Sequence, residues 1–83
     1  MNERKIDWPS EITFKSIFRN KSYIMESIKS ILMENNIKGD VYHKESKNGK
    51  FISYTITGTF LSDSELQLIC HKISTIEGFM TMF

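Results

Sequence analysis

Residues 46–60 read SKNGKFISYTITGTF, a turn signal followed by a long alternation of large apolar and hydroxylated side chains. Asn48-Gly49 is a strong hairpin signal, because both residue types accept the positive φ of a type I′ turn. With those two residues as the loop, Lys47 pairs with Lys50, and Val41 to Ser46 gains a fixed register on the strand ahead. Glu45 then lies opposite Ile52, His43 opposite Tyr54 and Val41 opposite Ile56 on one face. Ser46–Phe51, Lys44–Ser53 and Tyr42–Thr55 share the other. The hydroxyl run Ser53, Thr55, Thr57 and Thr59 therefore occupies one side of a sheet, with Tyr54, Ile56 and Phe60 on the opposite side.

Working outward, Glu11 to Arg19 repeats the period of two, with Ile12, Phe14 and Phe18 against Thr13, Lys15, Ile17 and Arg19. Between these strands, Tyr23 to Asn36 changes period. Ile24, Ile28, Ile31 and Leu32 follow helical spacing, with Ser22 as the expected N-cap and the Asn35-Asn36 to Asp40 region as the stop. After the hairpin, Ser62 and Glu65 have the spacing of a capping box. Leu66, Ile69, Cys70, Ile73 and Ile76 form an inward stripe, and Gly78 ends the helix. Phe79 to Phe83 is a last strand. Residues 1–9 read as a flexible lead-in anchored by Trp8, and residues 10–83 as one domain.

The 83-residue chain is too short for two cores. Eleven Lys and Arg against ten Asp and Glu, well interspersed, give a net charge of +1, which argues against a dedicated polyanion binder. A single cysteine, Cys70, excludes an internal disulfide and suits a reducing cytoplasm. No stretch approaches the about 18 apolar residues of a membrane span, and no targeting segment is expected.

The order β-α-β-β-α-β is the ferredoxin-like plan: an α+β sandwich with a four-stranded antiparallel sheet and two helices on one face. Ile12, Phe14, Phe18, Tyr54, Ile56 and Phe60 are the expected sheet side of the core. The chain resembles the YbeD-like family of small bacterial domains of unknown function. The likeness runs through Trp8-Pro9 with Phe14-Lys15, then Ser46 to Ser53, then Ile76-Glu77-Gly78-Phe79. It implies a ferredoxin-like fold similar to amino-acid-sensing regulatory domains, and no established activity. Those sensing domains favour glycine in the loop after the first strand, where this chain has Asn20-Lys21-Ser22.

No catalytic constellation emerges from the residues, and the chain reads as a non-enzyme without cofactor. His43 is expected partly buried and hydrogen-bonded, and His71 solvated. No third or fourth metal ligand accompanies either one. Cys70 reads as a small core hydrophobe.

The sheet face turned away from the helices holds more promise. It displays Lys15, Arg19 and Lys44 among hydroxyls, with Tyr42, Phe51 and Ser53 beside them and no acid expected, the carboxylates going mostly to the helices. These six residues are the candidate contacts for a protein partner or small anionic metabolite, the cations holding carboxylate or phosphate and the rings covering apolar surface. An RNA-binding sheet is the competing reading. GKFISY has the composition for it but the wrong phase, since Phe51 faces out and Tyr54 faces in. A third reading is homodimerisation through Phe79, Met80, Met82 and Phe83, an edge strand apolar on both sides. There the core is expected to take either Phe79 with Phe83 or Met80 with Met82.

Overall fold

Two long central strands carry the architecture. In the computed structural model, which describes residues 7–83, β1 (Ser10–Arg19) pairs antiparallel with β3 (Phe51–Phe60) along its whole length. Between them in the chain come α1 (Ile24–Glu34) and β2 (Gly39–Glu45); α2 (Asp63–Ser74) and β4 (Phe79–Met82) follow. The sheet order is β2-β3-β1-β4, so the edges are β2 and β4. This is the ferredoxin-like βαββαβ sandwich.

The period of two in β1 and β3 sorts the side chains as expected. Phe14, Phe18, Tyr54, Ile56 and Phe60 are buried under the helices with Ile24, Ile28, Leu32, Ile69 and Ile73. Phe18 stands edge-on to both Tyr54 and Phe79, with ring centroids 5.7 and 5.5 Å away, a favoured geometry for aromatic pairs. Trp8 packs against the rim of this core. Of the lead-in expected over residues 1–9, residues 1–6 lie outside those described.

Several local expectations need correction. The hairpin keeps its register, but Asn48 does not adopt a positive φ and only Gly49 does, at 70°. Lys47 and Lys50 are therefore loop residues. The Gly49 amide donates to the Ser46 carbonyl at 2.9 Å, the Asn48 side chain accepts from Ser46 Oγ and the Lys50 amide, and Ser46 closes onto Phe51. This four-residue loop has the same midpoint as the two-residue one, which is why the strand pairing survives the change.

Helix α1 begins one residue later than expected, with Tyr23 at the N-cap position and no side-chain cap from Ser22. Beyond its C-terminus Asn36 takes the left-handed conformation at φ 57°. In α2, Ser62 accepts from the Glu65 amide at 3.1 Å, while the Glu65 carboxylate reaches back to the Leu61 amide at 2.8 Å, one residue before the cap.

In β4 neither alternating set goes inward as a unit. The pairing slips between Ile17 and Phe18, so that Phe18 faces Phe79 whereas Ile17 faces Thr81 and Ser16 faces Met82. Met80 is the extra residue of this bulge. Phe79 and Met82 pack on the core, while Met80 and Phe83 are exposed.

Candidate binding surface on the open sheet face

The pairings that bury the core project the other half of each strand away from the helices. From one end to the other, β1 presents Glu11, Thr13, Lys15, Ile17 and Arg19, directly beside Thr59, Thr57, Thr55, Ser53 and Phe51 of β3. Strand β2 adds Asp40 beside Thr57, Tyr42 beside Thr55 and Lys44 beside Ser53. On the far side of β1, Lys15 and Phe83 exchange backbone hydrogen bonds of 2.7 and 2.8 Å, which sets Phe83 next to Lys15.

All six anticipated contact residues thus share this face. Lys15, Arg19, Tyr42 and Lys44 are exposed, and Phe51 and Ser53 half-buried. They do not form one cluster. Lys44, Phe51 and Ser53 line a shallow depression of about 250 Å³ with Ile17, Glu45 and Ser46. Arg19 belongs to a neighbouring depression of about 280 Å³ with Asn20, Lys21, Gly49 and Lys50, Phe51 forming the wall between the two. Lys15 and Tyr42 lie in the row beyond, outside both.

The loops hold this end together. Asn20 Nδ2 donates to the Gly49 carbonyl at 2.7 Å, and the Asn20 amide donates to the Lys50 carbonyl at 3.0 Å. These bonds tie the β1–α1 loop to the hairpin and bring Lys21 and Lys50 beside Arg19. Alternation along a strand carries no information about loop side chains, so neither lysine was anticipated. Strand phase puts Ile17 on this face as well, where it lines the first depression.

Contrary to expectation, acids do join this face, and charge is divided along it rather than between the sheet and the helices. Glu11 and Asp40 occupy one end and Arg19 and Lys44 the other, all exposed. Asp40 lies ahead of the expected start of β2, which begins at Gly39, whereas Glu11 stands at the head of the expected first strand, in phase with Thr13 and Lys15, and so belongs to this face. Between the ends the hydroxyls are largely self-satisfied: Thr13 and Thr57 share a 2.9 Å hydrogen bond, and Ser53 Oγ donates to the Lys44 carbonyl at 3.4 Å.

On the other side of the sheet, His43 is exposed rather than partly buried, its ring 6.4 Å from that of Tyr54. It points toward the helical layer, but no helix extends over the edge strand there. Burial, and secondarily the charge of Glu45, raises the pKa of Tyr54. Desolvation raises that of Tyr23, helped by the Glu77 carboxylate 3.4 Å from its hydroxyl. Burial likewise raises the Cys70 thiol. A larger concavity, about 580 Å³, lies between the end of α1 and β2 and is lined by Leu32, Met33, Ile37 and Val41 among lysines and Asp40. Among the described residues no three of His, Cys, Asp and Glu converge to hold a metal ion, and no helix is long and apolar enough to cross a membrane.

Residues 3–83 match the family described as a protein of unknown function, DUF493. The chain belongs to this family. DUF493 is consistent with the YbeD-like resemblance carried by Trp8-Pro9, Ser46 to Ser53 and Ile76 to Phe79. No curated protein matches. Among solved structures, the DUF493 chain is similar to the solution structure of HP0495 from H. pylori, with TM-score 0.86, 23% identity and coverage of 98% of this chain and 88% of that one. It is also similar to the C-terminal domain of MgtC from Mycobacterium tuberculosis, with TM-score 0.75, 15% identity and coverage of 95% and 89%. A third neighbour is the ACT domain of GTP pyrophosphokinase from Chlorobium tepidum, with TM-score 0.68, 12% identity and coverage of 88% and 94%. At these identities the likeness establishes a common fold.

Proposed function

We propose that this DUF493 protein is a small non-catalytic regulatory or adaptor domain of the cytoplasm that binds a protein partner through its open sheet face. The observation that carries the reading is the basic end of that face, where Arg19, Lys21, Lys44 and Lys50 surround half-buried Phe51 and Ile17. An apolar centre ringed by exposed cations is the composition of a protein-binding patch, the ring covering apolar surface and the cations selecting carboxylates. The likeness to the ACT domain of GTP pyrophosphokinase supports a role in regulation.

A small anionic metabolite is the weaker form of the same reading. Ligand pockets usually enclose most of their ligand in about 300–1,000 Å³, whereas the two depressions here are shallow and hold about 250 and 280 Å³. Nucleic acid is less favoured still. On the open face of the two central strands Phe51 is the single aromatic ring, and base-stacking sheets use several.

The test is crosslink-assisted capture from native lysate with the wild type beside Arg19→Glu/Lys44→Glu. Both side chains are exposed, so the variant should melt within a few degrees of the wild type. Loss of a partner from the variant supports the reading. Equal recovery of every captured protein by both forms removes it.

A further inference from the structure

The open face has a charge pattern that complements itself. Take the row Tyr42, Thr55, Lys15, Phe83 as a centre line. Two rows to one side of it on β1 stands Glu11, and two rows to the other side stands Arg19. One row to either side on β2 stand Asp40 and Lys44. Reflection of the sheet about a single line thus exchanges acid for base on both strands at once.

We propose that the partner of this face is a second copy of the chain, packed sheet against sheet with its strands antiparallel. The proposal rests on the reading of the open face as a protein-binding surface and names its occupant. A two-fold axis lying between the sheets along the centre line sets Glu11 against Arg19 of the second copy and Asp40 against Lys44, and the symmetry makes each pair twice. The alternative axis, parallel to the strands, brings acid onto acid and base onto base, so charge selects the antiparallel arrangement. Tyr42 and Phe83, 65% and 70% exposed at opposite edges of the sheet, each then meet their own symmetry mate and lose that exposure. Covering the hydroxyls between them leaves few orphans, since Thr13 and Thr57 already bond each other.

The axis also passes beside Lys15, and the two Lys15 ammonium groups repel across it. That cost keeps the dimer weak, as does its size. Rows about 6.7 Å apart and strands about 4.8 Å apart give a face of roughly 27 by 15 Å, and two such faces bury about 800–1,000 Å² in all, the range of weak reversible association. A micromolar, salt-sensitive dimer is the expected species.

Sedimentation equilibrium of the whole chain, from about 5 to 500 µM at low salt, tests it. The wild type should approach twice the monomer mass, with a dissociation constant rising about tenfold when salt is raised to roughly 0.5 M. Arg19→Glu alone and Glu11→Arg alone should each weaken the dimer about tenfold or more, and Glu11→Arg/Arg19→Glu together should restore it. Lys15→Ala should tighten it. A monomer at every concentration overturns the proposal, as does a double variant no better than the singles, since only the antiparallel pairing predicts rescue. If a different acidic protein is captured by the wild type and lost from Arg19→Glu/Lys44→Glu while the chain sediments as a monomer, self-pairing fails and the binding role of the face stands.

Discussion

Gly39 lies directly opposite Gly58 at the start of β2, so close that a Cβ on Gly39 would fall within the radius of the Thr57 carbonyl oxygen. The neighbouring atoms are backbone and cannot swing aside. Gly39→Ala is therefore expected to cost about 2–3 kcal/mol, in the range of core overpacking, by prising the first pair of β2 off β3. Urea denaturation measures it, and a loss below half a kilocalorie per mole would mean the strands do not approach this closely. Because β2 carries Asp40, Tyr42 and Lys44, the same variant should also disturb the open face.

Ser16 is the opposite case. It is fully buried on the inner face between Tyr54 and Met82, and its Oγ has no hydrogen-bond partner among the described residues. A buried hydroxyl without a partner costs about 1–3 kcal/mol of desolvation. Ser16→Ala removes that cost with almost no change of volume, so a gain of about 1 kcal/mol in unfolding free energy is expected. A loss of similar size would contradict the placement.

Cys70 gives a pH-dependent prediction. Its thiol is half-buried in α2, and burial raises its pKa above the ordinary value. Below the unfolded pKa both states hold the proton and the group contributes nothing to the pH dependence. As pH rises above that value the unfolded thiol ionises first, and stability declines until the folded pKa is passed. The thiolate is the reactive form, so iodoacetamide at pH 8 to 9 should label the native protein about tenfold or more slowly than the urea-unfolded chain. Equal rates would place the thiol in solvent.

Most of the fold could be read from two strands because their alternation is unambiguous. Phenylalanine and isoleucine against threonine and lysine leaves one choice of face, and the Asn48-Gly49 turn region fixed the register even though Asn48 does not take the positive φ. Strand β4 offered no such contrast. Phe79, Met80, Met82 and Phe83 are all apolar, so the bulge at Met80 that divides them differently could not be seen. It arises from pairing with β1, which is a tertiary relationship. His43 illustrates another limit: alternation gave its face correctly, but whether a helix covers an edge residue depends on where the helix ends in space. For the surface, strand phase placed Lys15, Arg19, Lys44 and Phe51 together, while Lys21 and Lys50 reach it only through the Asn20 bond to Gly49. Asp40 lies outside the expected bounds of β2, which begins at Gly39 rather than Val41, whereas Glu11 shares the phase of Lys15 and was legible from the alternation.

The most direct measurement follows amide and methyl chemical shifts of isotopically labelled protein through a dilution series, roughly 1 mM down to 10 µM at low salt. If the open face pairs with a second copy of the chain, concentration-dependent shifts should gather on Thr13, Lys15, Ile17, Ser53, Thr55 and Tyr42, and leave Ile28, Leu32 and Ile69 still. Shifts confined to the helices or to the outer edge of β4, or a spectrum that does not change with dilution, would contradict it.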